Sequence, residues 1–481
     1  MDSCGRRPFA QRFSSERTKV ASTTDPDPVS ASAGLLRSKA WQIAMIGLGT
    51  ATAQLDTAVN IAFPAITRGF GLAIGDIQWV VICYVLAYAS LLLALGRIGD
   101  TIGHAIVYRT GLIWSAATFL LVGCAPSYGA MLALRCLQGI GAALVLSCGA
   151  ALVTGLYDEE RRGRALGIYT MMMALGLMLG PLLGGALVAI WDWPAVFWFR
   201  IPIAIAALSL LRGLPASRPR AAREPFDIAG GIALALGLVT MLMALNRIRE
   251  FSAVWLGLLS VLAFAGFIFH QSRAARPIID VAVFRLPGFA MLNLVSVLAN
   301  LAAFSVWLLV PYYLAQVSGY ALAGSGAILA SGALGAVLGA PIGGRLLGHR
   351  ISAERLAIAG AAGIGAGLLM LGAWSEQTTT ALRVAGLMVQ GVGLGLFQLA
   401  YTDIVTAALP VGDRGVAGSL ALLTRMLGTV AAASLILMVF EILQSSHGFF
   451  EAFHQTFQLT AVLAFASAGL LAFSPRKIGK P

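Results

Sequence analysis

Long apolar stretches of close to 20 residues, bounded by charges or turn residues, recur along most of the chain. That length crosses a hydrocarbon layer of roughly 30 Å as a helix. They lie at 41–66, 77–96, 106–125, 129–154, 165–190, 194–211, 227–246, 253–270, 288–315, 321–344, 356–375, 381–405, 415–440 and 456–473, which predicts fourteen membrane helices. Arg200 interrupts the sixth, and the eighth is short. The runs are solid rather than alternating, which excludes a spanning β-barrel. The expected fold class is therefore an all-α polytopic membrane protein.

Composition agrees. Over 481 residues, 58% are hydrophobic and only 11% charged, less than half the usual share in soluble domains. The chain has 33 Lys+Arg against 21 Asp+Glu. With the N-terminus inside, 26 of those basic residues fall in the tails and cytosolic loops, 3 outside (Arg68, Arg247, Arg249) and 4 within spans. That asymmetry predicts a multi-pass protein of the plasma (inner) membrane with both termini cytosolic. It also accounts for the positive balance without nucleic acid.

Residues 1–40 are polar, basic and rich in Pro, Ser and Thr, and read as a disordered cytosolic tail without a signal-peptide core. A weak echo, GRIGDTIGHAIVYR after span 2 and GRLLGHRISAER after span 10, suggests two related halves. The expected domains are 41–211 and 288–473, six helices each, with a linker of two extra helices at 212–287 and a cytosolic tail at 474–481. Trp79, Trp191, Trp193, Trp255 and Trp374 sit near outer span ends, as interfacial anchors would. The five cysteines have no metal spacing and read as small buried hydrophobes.

Asp56 is the only carboxylate near the middle of a span. It lies roughly 22 Å from the cytosolic end and about 15 Å below the outer surface. A carboxylate there is normally paired, protonated or facing a cavity. Arg135 in span 4 lies about 10 Å below the same surface, so the two are a candidate pair. A titrating carboxylate beside an arginine that always keeps its charge suits proton exchange; a packing lock is the competing reading. Asn60 and Gln138, one turn from each, add polar groups. Asn293 and Asn300 on span 9, Gln390 and Gln398 on span 12, and the aromatics Trp307, Tyr312 and Tyr313 suit a cavity for amphipathic solutes. Amides also hold helices together. Arg425 in span 13 reads as a structural partner of Asp403.

Small residues repeat every four in span 5 (Gly176, Gly180, Gly184, with Pro181) and span 10 (Gly335, Gly339, Gly343, with Pro341). Each gives a flat helix face. The two faces are candidates to pack together and slide, or to pack statically.

At these residues the chain resembles the major facilitator superfamily, in its fourteen-spanner drug/proton antiporter branch (EmrB/QacA type). The resemblance is carried by LDTAVNIAFP (Leu55–Pro64), GRIGDTIGHAIVYR (Gly96–Arg109), Arg135 with Gln138 and Gly139, GLMLGPLLGG (Gly176–Gly185), RPIIDVAVFR (Arg276–Arg285) and PYYLAQVSGY (Pro311–Tyr320). It implies a major facilitator fold and alternating access, with spans 1, 4, 9 and 12 around a central cavity. It also implies proton coupling at Asp56 and Arg135, and a cytosolic latch of Gly96, Asp100 and Arg109. The segment WDWPAVFWFRIP departs from the pattern, with Arg200 where Asn is usual. Arg200 is expected at the outer interface, tuning substrate charge being the alternative.

The expected function is a proton-coupled exporter of hydrophobic or amphipathic small molecules. Its partners are the substrate, protons and the bilayer, with no cofactor beyond the proton gradient. A metabolite or natural-product exporter and a non-transporting sensor are the alternatives. An ATP-driven pump lacks its GxxxxGK[ST] loop. No metal cluster or nucleophile–base pair suggests an enzyme.

Overall fold

The computed structural model describes residues 39–156, 159–211, 228–247, 251–273, 286–316, 322–347, 351–408 and 414–473. Helices dominate these residues. In chain order they are α1 (Lys39–Gln54), a 3-10 turn at Leu55–Thr57, α2 (Ala58–Phe70), a second 3-10 turn at Ile74–Ile77, α3 (Gln78–Ile102), α4 (His104–Gly123), α5 (Tyr128–Gly155), α6 (Glu159–Trp191), the short α7 (Ala195–Trp198) and α8 (Arg200–Leu210). Then follow α9 (Ile228–Asn246), α10 (Ser252–Gln271), α11 (Phe289–Gln316), α12 (Leu322–Leu346), α13 (Ala353–Gly372), α14 (Thr380–Ala408), α15 (Arg414–His447) and α16 (Phe449–Phe473). Among the described residues, 11 helices are long and apolar enough to cross a membrane. Two shorter apolar helices lie at 195–209 and 229–241. The protein is thus an all-helical, multi-pass membrane protein.

Local chemistry sets several boundaries. Gly71 ends α2 in the left-handed region at φ 64°, which an L side chain rarely adopts. Gly103, at φ 104°, is the entire connection between α3 and α4. Ser127 caps α5 by accepting from the Ala130 amide at 3.3 Å.

The helices α1–α8 pack among themselves, as do α11–α16. The two bundles meet directly through α6 on α12 and α2 on α11, and α3 on α15, where α9 packs over both. Helix α10 leans on α9 and leaves Val254, Trp255, Val261, Leu262 and Phe269 exposed, as a lipid-facing helix would.

The bundles close on each other at the end that carries Trp79, Trp193 and Trp374, called here the tryptophan end. There the Thr67 and Tyr312 hydroxyls share a 2.6 Å hydrogen bond. The Glu441 carboxylate fills the space that a side chain at Gly75 would need. One core runs across both bundles here, from Ala58–Ile66 to Leu308–Leu314 and Phe440. A separate core around Ile46, Tyr108, Leu152 and Leu211 belongs to α1–α8 alone, at the opposite, arginine-rich end.

Some sequence expectations change here. Trp193 and Trp374 are buried rather than interfacial, and Trp374 packs against Tyr313 and Phe453. Among the described cysteines only Cys148 is buried; Cys124 and Cys136 are exposed.

Candidate functional site

Helix α1 gives way to the 3-10 turn at Asp56 itself. Thr57 tightens that turn by donating to the Gln54 carbonyl at 3.1 Å and, across to α6, to the Leu177 carbonyl at 3.2 Å. The glycine stripe of α6 allows this approach. A Cβ at Gly176 would meet Ala51 and Gln54, at Gly180 Thr57 and Ala58, and at Gly184 Ala58 and Ile61. The stripe therefore packs on the Asp56 segment, not on its counterpart in the other bundle. The α12 stripe packs on α14 instead, Gly335 against Met388 and Gly339 against Val392. The α6–α12 seam is made by Gly326 against Pro181 and Gly185. Spacing every four residues specifies a flat face but does not choose its partner.

The Asp56 carboxylate receives a two-pronged bond from Arg135 of α5: Nη1 to Oδ1 at 2.8 Å and Nη2 to Oδ2 at 2.9 Å. Gln138, one turn along α5, donates to Oδ1 at 3.0 Å and accepts from Arg135 Nη1 at 2.8 Å. Arg135 Nε donates to the Val80 carbonyl at 2.9 Å, and its guanidinium lies 4.4 Å from the Tyr84 ring centre. The pair anticipated from depth thus forms, with Gln138 inside it.

The sequence reading placed Arg200 wrongly. It is fully buried, not interfacial, and its Nη1 donates to Asp56 Oδ1 at 2.8 Å. Its Nε donates to the Val196 carbonyl at 3.1 Å, and its guanidinium lies 4.4 Å from the Phe119 ring centre. Its Nη2 has no hydrogen-bond partner among the described residues. Two buried guanidinia therefore share one carboxylate, and Asp56 retains 14% side-chain exposure. The signal was available: a charge within a span is expensive wherever it falls. Arg200 also follows Trp193 by seven residues, roughly 10 Å of helix and the depth inferred for Arg135.

In the second bundle Asn293, Asn300 and Gln398 come together. Asn293 donates to the Phe289 carbonyl at 2.8 Å and accepts from the Tyr401 hydroxyl at 2.8 Å. Asn300 donates to the Ser296 carbonyl at 2.7 Å and accepts from Gln398 at 3.4 Å. Ser296 and Thr424 share a bond of 3.0 Å, and Thr424 donates to Tyr401 at 3.2 Å, so the network ties α11, α14 and α15 together. Gln390 is buried elsewhere on α14, packed on Gly367 of α13, with no hydrogen bond to this network. Trp307 is half-buried against the shared core. Asn60 is buried and makes no hydrogen bond to the Asp56 cluster.

Arg425 and Asp403 are both exposed and form no ion pair with each other; they project from different helices without converging. Gly96 lies on α3 near Ser147 of α5. Arg109 donates to the Leu211 carbonyl at 2.6 Å and so caps α8. The side chain of Asp100, the acidic member of the expected latch, lies outside the described residues. No group of three metal-ligating side chains occurs among the described residues.

The sequence matches the Major Facilitator Superfamily over residues 45–433. It is 26% identical over 446 residues to the riboflavin transporter RibZ of Clostridioides difficile (strain 630), covering 91% of this chain and 97% of that protein. It is 33% identical over 404 residues to the cephamycin export protein CmcT of Amycolatopsis lactamdurans, covering 80% and 81%. To the tetracenomycin C resistance and export protein of Streptomyces glaucescens it is 29% identical over 400 residues, covering 80% and 73%. Among solved structures, the POT family transporter PepTSo superposes with a TM-score of 0.69 at 14% identity, over 90% of this chain and 97% of that one. A bacterial homolog of the human lysosomal transporter Spinster, solved inward-facing and unoccupied, gives 0.65 at 16%, over 90% and 96%. These likenesses concern the fold alone. With a match over most of its length, an all-helical multi-pass structure and relatives named as exporters and transporters, the chain is a transporter of small molecules, not an enzyme, and belongs to the major facilitator superfamily.

Proposed function

We propose that this transporter exports hydrophobic or amphipathic small molecules, drugs among them, in exchange for protons. The observation that carries the reading is the half-buried Asp56 held by Arg135, Gln138 and Arg200. Only Asp56 in that cluster can gain or lose a proton, because the guanidinia keep their charge. Near them the carboxylate is favoured; as they withdraw, proton uptake is favoured. Its partial exposure gives the proton a route. A group whose protonation is tied to the position of its neighbours is what coupling requires.

Counting the broken helix 39–70, the pair α7–α8 and α9 with the 11 longer helices supports fourteen spans and the drug/proton antiporter branch. In this reading the six-helix halves are 41–211 and 288–473, α9 and α10 are the extra pair, and the tryptophan end is outside. The bundles, closed there, then stand in an inward-facing state. A cysteine added at residue 481 is expected to react with impermeant maleimide only after the membrane is opened; labelling of intact cells would overturn the topology.

The names of the riboflavin, cephamycin and tetracenomycin C relatives favour a second reading, export of one metabolite or natural product on the same fold. The test of coupling is the purified protein in liposomes that hold a pH dye, given outward gradients of a panel of amphiphiles. A substrate-driven pH change, abolished by a protonophore, is expected. Substrate movement without any pH change would refute the exchange.

A further inference from the structure

Among the described residues, the charges that face the passage between the bundles do not balance. Asp56 is answered by two guanidinia, so that cluster carries one surplus positive charge when Asp56 is ionised. Oδ1 already accepts three hydrogen bonds and Oδ2 one. A cationic substrate would find one open lone pair, on Oδ2, with two guanidinia beside it.

On the facing bundle, Arg425 of α15 is exposed, with no ion pair or hydrogen bond among the described residues. It lies 11 residues into α15 from Arg414, roughly 16 Å from the arginine-rich end. Thr424, its neighbour, is turned into the Tyr401 network, which fixes the rotation of α15 at this level. Helix α15, which carries Arg425, packs on α3, which carries Tyr84 and Tyr88. The Tyr88 ring lies 5.5 Å from the Tyr84 ring, over which Arg135 stacks. Tyr84 and Tyr88 thus lead from the Asp56 cluster along the helix on which α15 packs, and the Arg425 guanidinium there has no partner among the described residues. The nearby carboxylate, Asp403, is five residues from the end of α14 and so closer to the mouth than Arg425.

We propose that this passage takes acidic aromatic amphiphiles, flat apolar bodies carrying one carboxylate or comparably acidic group, and that Arg425 with Tyr88 is the site of the acid end. The guanidinium supplies a charge-assisted, two-pronged contact for a carboxylate, and the half-buried Tyr88 ring supplies the apolar shelf. Arg200 and Arg135 keep the far side positive, so cations are disfavoured even where no direct contact forms. The inference rests on the exporter reading. One proton inward for one such anion outward moves two charges per turnover, so a negative-inside potential drives it. The same exchange with a cation moves none.

The experiment uses three pyrene probes that differ only at the tail: pyrenebutyrate, pyrenebutanol and pyrenebutylamine. Binding to the purified full chain is read by energy transfer from tryptophan. Wild type is expected to bind the carboxylate about tenfold more tightly than the amine, the worth of one good charged contact. Arg425→Ala should cut that margin severalfold, to what the Asp56 cluster supplies at a distance, and leave the alcohol unchanged, while Arg425→Lys keeps much of it. Preference for the amine, no binding of any probe, or an equal loss for all three in Arg425→Ala would overturn the proposal. Liposome transport of the same probes separates the two readings. Binding with charge preference but no movement sinks the exporter and leaves the site; movement without charge preference sinks the site and leaves the exporter.

Discussion

Replacing Asp56 by Asn is expected to reduce substrate-driven proton movement to that of empty liposomes. Asn keeps the size of the side chain and cannot titrate. Its single carbonyl oxygen also cannot accept the four bonds now made to the carboxylate. The substitution carries a structural cost besides, since Arg135 and Arg200 are 1% and 0% exposed and would lose their only counter-charge among the described residues. Uncompensated buried charge costs about 3–5 kcal/mol, so the single variant is expected to unfold at lower temperature. The variant that isolates the chemistry is Asp56→Asn with Arg200→Asn, which leaves one buried guanidinium and the surplus charge of the native cluster. That protein should fold, bind substrate and move no protons. Measured in liposomes with an interior pH dye, normal proton movement in the double variant would remove Asp56 from the coupling site and direct attention to Asp403 or Glu441.

Much of this site was legible before the structure, and the reason is physical. Charge inside a hydrocarbon layer is costly, so Asp56 and Arg135 stood out, and helix rise turned their positions into matching depths. What the sequence hid was direction. Arg200 follows a segment of tryptophans and a proline that suggests the interface. In the fold, Trp193 and Phe197 are buried and the short α7 carries the chain inward, so the arginine points at Asp56. The glycine stripes misled in the same way: Gly180 needs a close neighbour, and the neighbour is Thr57 in its own bundle, not Gly335 or Gly339 in the other. Arg425 and Asp403 were linked by proximity in the span order, but the Tyr401 network sets the rotation of their helices, and no pair forms. Hydrophobic runs specify how many helices cross and how deep a residue lies. Which way each helix is turned is settled by packing between elements far apart in sequence.

The two arginines around Asp56 are expected to respond in opposite ways to removal. Arg135 makes the two-pronged bond to the carboxylate, bonds the Val80 carbonyl and holds Gln138. Arg135→Ala strips all of these at once from a buried position and should cost about 3–5 kcal/mol of stability, together with coupling. Arg135→Lys keeps a positive charge but cannot reproduce the planar fork, so partial coupling is expected. Arg200 contributes one bond to Asp56 and leaves Nη2 without a partner. Its burial adds desolvation cost and repulsion from Arg135, against attraction to a carboxylate that Arg135 already satisfies. Arg200→Asn leaves a neutral Asp56–Arg135 pair and should change stability by less than about 1 kcal/mol, or raise it. Thermal unfolding in detergent followed by tryptophan fluorescence, alongside substrate-driven pH change in liposomes, measures both. A loss of stability in Arg200→Asn as large as in Arg135→Ala would mean that the surplus charge is met by a group outside the described residues, and that the cluster is neutral after all.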